Sequence, residues 1–222
     1  MKNKKKRQHK RETDFKQLED SWNPVLRFTP YAWSKLHWFC HHGETEIGGF
    51  GITDPDELLL IRDFVTVSQS ASPVSVRFDD SAVADFFDEQ VDADMVPEQF
   101  GRIWLHTHPG GSPRPSDTDE QTFDRVFGNC HWAVMFILAR GGKTYARQRF
   151  NVGPQGQTRL RVRVDYDARF EASDHFSWEH EYMVNVRFET PRFDLGLDVA
   201  ELSEVEIVLE DSTDGVARNL VK

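Results

Sequence analysis

Cysteine is scarce in this chain. Cys40 and Cys130 are the only two. They are too few for a disulfide framework, and a reducing, cytoplasmic setting is the simplest expectation. Long apolar runs are missing. No stretch approaches the roughly 18 residues of a membrane span, so no membrane partner is expected. The N-terminus is basic but has no apolar segment behind it, which argues against an ordinary secretory signal. With 14 glycines and 10 prolines, the chain is not fibrous or low in complexity. An excess of positive charge is also missing. The formal net charge is −10, and an acidic body suits nucleic acid poorly, because neutralising phosphates needs a basic face.

What is present suffices for a folded domain. The 222 residues are 38% hydrophobic and 29% charged, enough to bury a core in one domain of ordinary size with an extension. The charge is unevenly spread. Residues 1–11 hold seven Lys/Arg and no acid, leaving 20 basic residues against 37 acidic ones in the rest. Residues 1–20 therefore read as a basic, disordered arm, the one part suited to nucleic acid or another acidic surface. Residues 21–167 read as a folded domain. Residues 168–222 read as an acidic C-terminal extension, with Leu202, Val205, Ile207 and Leu209 available for docking.

Periodicity outlines a mixed α/β domain. A helix after Pro30 places Leu36, Phe39 and Cys40 on one face. Residues 46–53 and 57–68 read as strands, Ser75 to Phe78 as a short third strand, and 81–93 as a helix. Residues 102–108 form a strand that enters a Pro/Gly loop. A helix with Phe123, Val126 and Phe127 on one side follows and stops at Gly128-Asn129. The apolar strand 131–139 turns at Gly141-Gly142 into a hairpin partner over 143–151. Leu160, Val162, Val164 and Tyr166 alternate with polar residues, which predicts one buried face. Residues 173–190 fit either helix or strand.

The chemistry concentrates in Leu105 to Asp119, LHTHPGGSPRPSDTD. Residues two apart on a strand face the same side, so His106 and His108 can aim at one metal ion while Leu105 and Thr107 face away. Trp104 shares the histidines' face and can pack beneath them. The loop that follows ends at Ser116, and Asp119 lies three positions on. Ser-x-x-Asp is also a helix-capping pattern, and the cap and a ligand role are compatible. Two His and one carboxylate form a zinc set with an open position, as catalysis requires. Asp117 is the fallback carboxylate. Cys40 and Cys130 read as small buried hydrophobes.

The stretch resembles the signature of the JAMM (MPN-plus, or JAB) metalloprotease family: His-x-His, seven residues, Ser, two residues, Asp. His106, His108, Ser116 and Asp119 match each spacing, and Pro109 matches the proline common after the second His. The family also places a glutamate before an earlier glycine-containing strand. Glu46, ahead of Ile47-Gly48-Gly49, fits this better than Glu44. The resemblance covers residues 25–165 and implies an MPN (cytidine-deaminase-like) mixed β-sheet flanked by helices. It further implies that His106, His108 and Asp119 hold one Zn2+ per chain. Glu46 would act as general base on the attacking water, and Ser116 would help stabilise the oxyanion.

The implied activity is that of a zinc isopeptidase or peptidase, deubiquitinase-like, cutting after the C-terminal tail of ubiquitin or a ubiquitin-like protein. E1-like and E2-like enzymes of the same pathway are possible partners. Segments 72–100 and 140–157 are the expected places for substrate specificity. The first is acidic, which suits either a basic modifier surface or an ordinary solvated helix face. The alternatives are a non-catalytic MPN-type scaffold, a JAMM-like hydrolase of small peptide conjugates, and a PHP-type phosphoesterase, suggested by Leu-His-Thr-His.

Overall fold

A computed structural model of the protein describes residues 24–189. The basic arm over 1–20 and the part of the acidic extension past residue 189, with Leu202 to Leu209, lie outside the described residues. The described chain runs β1 (Val25–Phe28), α1 (Pro30–His41), β2 (Gly48–Thr53), β3 (Leu60–Val65), β4 (Gln69–Ser72), β5 (Ser75–Phe78), α2 (Asp80–Asp92) and α3 (Pro97–Phe100). It continues through β6 (Ile103–His108), α4 (Asp117–Phe127), β7 (Trp132–Ala139), β8 (Thr144–Phe150), β9 (Gly156–Arg159), β10 (Arg161–Val164), α5 (His175–Asn185) and β11 (Val186–Phe188).

Helix α1 begins where its sequence says it should. The Thr29 hydroxyl accepts from the Ala32 amide at 3.2 Å, and Pro30 takes the first helical position. Leu36, Phe39 and Cys40 are buried together, as their spacing predicts. The helix packs on a mixed eight-stranded sheet of order β10-β1-β3-β2-β6-β7-β8-β9. Only Leu160 separates β9 from β10. Residues 156–164 thus pair with β8 at one sheet edge and with β1 at the other. The sheet closes on itself at this buried leucine, whose amide donates to the Ala146 carbonyl at 3.0 Å.

Alternation along the central strands separates two cores. On β6 and β7, Ile103, Leu105, Val134, Phe136 and Leu138 face α1. Trp104, Ala133, Met135 and Ile137 face the other way, toward Phe86 of α2, Phe100 of α3, and Phe123 and Phe127 of α4. A second sheet, of order β11-β4-β5, adjoins that side. The molecule is thus a mixed α/β domain, and the two histidines lie on the side of its sheet that faces α4.

The stretch that fitted either helix or strand is both in succession, α5 over His175–Asn185 and then β11 over Val186–Phe188. Both join the domain. Trp178 is buried against α1, and its indole N–H donates to the Tyr31 hydroxyl at 3.1 Å. The Glu181 carboxylate meets the buried Lys35 amine at 2.8 Å, and Asp63 of β3 meets the same amine at 3.1 Å. These two acids hold the Lys35 ammonium in its charged form against the pull of burial.

Some local readings differ from the structure. The strand expected over 57–68 is confined to Leu60–Val65. Strands β1, β4 and β9 and the single turn α3 carry no periodicity long enough to mark them. Tyr166, expected on a buried face, is 71% exposed, because the strand ends at Val164 and a turn follows. Among the described residues, no helix is long and apolar enough to cross a membrane.

Candidate metal centre

Strand β6 is wholly buried and lies between antiparallel β2 and parallel β7. Its C-terminal end carries His106 and His108, and the chain leaves there for the Pro/Gly loop and α4. Ser116 caps α4, accepting from the Asp119 amide at 3.1 Å. Asp119 answers: its Oδ2 accepts from the Ser116 amide at 2.7 Å and from the Ser116 hydroxyl at 2.8 Å. This reciprocal box turns the carboxylate inward, leaving Oδ1 free to face β6.

His106 Nε2 stands 3.4 Å from Asp119 Oδ1, and His108 Nε2 stands 3.6 Å from Asp119 Oδ2. One ligand atom from each of the three residues lies within 4.8 Å of the others, and all three side chains are buried. Tetrahedral ligands about 2.1 Å from a metal stand about 3.4 Å apart. His106 Nε2 and His108 Nε2 have no hydrogen-bond partner although both are buried. Buried nitrogens left unpaired are costly unless something else fills their lone pairs. The triad could hold a metal ion.

The surrounding groups fix these ligands. His108 Nδ1 donates to the Ser112 carbonyl at 2.9 Å. That bond puts the proton on Nδ1 and directs the Nε2 lone pair into the site. The Trp104 ring stacks on His106 with centroids 4.3 Å apart, and Phe123 and Phe127 lie beyond it. Burial pushes His106 below the ordinary imidazole range, against the pull of Asp119. Burial also disfavours charge on His108, but the neighbouring Asp119 carboxylate, the bond to the Ser112 carbonyl and the nearby Glu46 outweigh it and raise its pKa. Asp119 is buried too, yet the two histidines and Ser116 hold its carboxyl well below the usual range.

Glu46 enters from the segment just before β2. It is 6% exposed, and its Oε1 lies 3.6 Å from His108 Nε2. Its Oε2 is buried without a partner. Burial pushes this carboxyl up to about 7; His108 opposes the rise and Asp119 adds to it. Glu44, the other candidate, is exposed and pairs with Arg140 at 3.3 Å. Asp117 is exposed at the first position of α4, outside the cluster.

Three supporting residues escaped the sequence reading. The Thr107 hydroxyl accepts from the Ile47 amide at 3.1 Å, while the Thr107 amide donates to the Ile47 carbonyl at 2.9 Å. This ties the residue after Glu46 to the residue between the two histidines. Gln69, buried in β4, clasps both the amide and the carbonyl of Gly48 at 2.9 Å each. The Ser112 carbonyl orients His108. A hydroxyl between the two histidines, on the opposite face of the strand, was a signal for Thr107. Gln69 and the Ser112 carbonyl had none.

No known protein-family model matches this sequence, and no curated protein matches it.

Proposed function

We infer that the protein is a zinc-dependent hydrolase of the JAMM type, cutting the peptide or isopeptide bond that follows the C-terminal tail of ubiquitin or a ubiquitin-like protein. One observation carries the reading. Glu46, His106 and His108 bring unpartnered buried atoms together around the Asp119 carboxylate, from three separate segments of the chain. The order of elements supports it: α1, β2 preceded by Glu46, β3, α2, the His-x-His strand β6 and α4, with β4 and β5 inserted before α2 and the turn α3 after it, resemble the core of an MPN domain.

His106, His108 and Asp119 would hold the zinc, a preference drawn from the two-His, one-carboxylate donor set. A zinc ion bound there supplies Lewis acidity toward water and toward a carbonyl oxygen. Glu46 is the proton carrier. Its buried carboxylate, with Oε2 unpartnered, is placed to take a proton from the attacking water and return it to the leaving amine. Trp104 excludes water from beneath His106. The single hydroxyl proton of Ser116 lies on Asp119 Oδ2, so Ser116 holds the ligand first and reaches an oxyanion only by exchanging that bond.

A tail bound in extended form is favoured over a small conjugate. Strand β5 ends its sheet, pairing only with β4 among the described residues. A free strand edge next to a catalytic centre can accept a peptide strand.

The test begins with metal content. Elemental mass spectrometry of the purified protein is expected to find near one zinc per chain. The zinc-loaded protein should release amine from ubiquitin-like tail conjugates. Glu46→Gln should keep the zinc and lose turnover by at least about 100-fold. A protein that binds no metal after zinc is supplied, or a Glu46→Gln variant with normal turnover, sinks this mechanism. Zinc binding without turnover on any tail conjugate favours the scaffold reading.

A further inference from the structure

A groove of about 260 Å3 runs between β5 and α4, with Trp104 at its floor. It adjoins the metal centre on two sides. Its Trp104 is the ring stacked on His106, and its Thr118 precedes Asp119 in α4. Thr118, Thr122 and Arg125 line one wall. They stand at i, i+4 and i+7, which is one face of a helix. Strand β5, with its free edge, forms the opposite wall.

Two features of this groove call for a ligand. The Trp104 indole N–H is buried and has no acceptor. That nitrogen is closed to solvent, so a main-chain carbonyl laid along the groove supplies an acceptor only if the ring shifts toward it. The second feature is charge. Arg77 lines the groove but is neutralised by Glu189 at 2.8 Å. Arg125 lines it as well and has no ion-pair partner among the described residues. The groove thus carries a net positive charge within an acidic protein. This is opposite in sign to the exposed acids of α2, which the sequence reading offered to a basic modifier surface.

Helix geometry places that charge along the substrate. Arg125 follows Asp119 by six residues, about 9 Å along the helix axis at about 1.5 Å per residue. An extended chain advances about 3.3 Å per residue, so the guanidinium reaches the third or fourth residue before the bond cleaved at the metal. We propose that the β5–α4 groove takes the acyl side of an extended tail and selects, through Arg125, an acidic side chain three or four residues before the scissile bond. This rests on the hydrolase reading above for the direction of the chain. Arg125 is a specificity-determining residue, and the occupant is a tail with a Glu or Asp at that place rather than a basic one.

The test measures binding, so that it stands apart from turnover. Labelled tail peptides ending in Gly-Gly carry Glu, Ala or Arg at the third and fourth positions from the end. They are titrated by fluorescence anisotropy into the zinc-loaded Glu46→Gln protein. The Glu peptide should bind about five- to tenfold tighter than the Arg peptide, as expected for an exposed ion pair exchanged for a repulsion. Arg125→Ala should erase the preference and Arg125→Glu should reverse it. Arg163→Glu, the same charge change at the exposed position of β10 and outside the groove, should leave it intact. Equal affinities, a preference that survives Arg125→Glu, or no binding of any peptide overturns the proposal. Charge-selective binding beside a wild-type protein that cleaves no conjugate upholds the groove and removes the hydrolase reading instead.

Discussion

Ser116 holds two hydrogen bonds at once through one hydroxyl. It accepts from the Asp119 amide at 3.1 Å and donates to Asp119 Oδ2 at 2.8 Å. The first is a helix cap and the second orients the carboxylate of the candidate metal triad. Removing the hydroxyl therefore has two separable consequences. Ser116→Ala should lower stability by about 1 kcal/mol through the lost cap, a drop of about 2–4 °C in melting temperature at this chain length. The same variant should bind zinc more weakly, because Asp119 loses a donor that fixes its rotamer. Ser116→Thr keeps a hydroxyl and should recover most of both. Calorimetry and competitive metal titration read the two effects. An Ala variant with unchanged melting and unchanged zinc affinity would mean that the backbone amide of Ser116 alone suffices.

At the scale of elements, β2 decides where Glu46 stands. The strand is squeezed between β3 and β6, pairing Gly48 with His106 and Phe50 with both Trp104 and Val65. Gly49 is the tightest point. A Cβ there would lie 2.3 Å from the Val65 carbonyl oxygen and 2.7 Å from a Phe64 ring carbon. Because the closer of these is backbone, it cannot swing aside. At Gly51 the nearest atoms, on Ile103, would be 3.2 Å away and belong to a side chain. Gly49→Ala should thus cost about 1–3 kcal/mol and move β2 relative to β6, lowering zinc affinity with it. Gly51→Ala should cost less and leave zinc binding nearly intact. Denaturant melts with metal titration on the two variants test the ranking, and equal effects would refute it.

For the whole molecule, the sheet closes through Leu160 and the chain after it folds back over α1. Helix α5 buries Trp178 and gives Lys35 one of its two acids. Glu181 also accepts from the Thr66 amide at 2.8 Å and the Thr66 hydroxyl at 2.9 Å. The helix therefore binds α1 and the end of β3 together. A chain ending at residue 167 leaves Lys35 with Asp63 alone and bares the apolar ground under Trp178. Losing a buried Trp side chain from the core costs about 3–5 kcal/mol, comparable to much of a domain's total stability. The shortened chain should aggregate or melt without cooperativity in circular dichroism. If it instead melts like the full chain, α5 is dispensable and Lys35 finds solvent or another partner.

The sequence by itself determined what is local. His106 and His108 share a face because a strand has a period of two. The start of α4 follows from Ser116 and Asp119, which form their box within one helical turn. Helices α1 and α2 follow from apolar spacing over twelve or so residues. None of these needs a distant contact. Only the tertiary structure decided the rest. The resemblance prefers Glu46 to Glu44, two positions away, but it is pairing of β2 with β6 that buries Glu46 and leaves Glu44 with Arg140. Asp117 and Asp119 both begin α4, and the helix's seat against β6 turns one of them inward. The short strands β1, β4 and β9 and the ion-pair cluster around Lys35 exist through partners far along the chain. Such contacts depend on how long segments pack, a choice that no short window of residues contains.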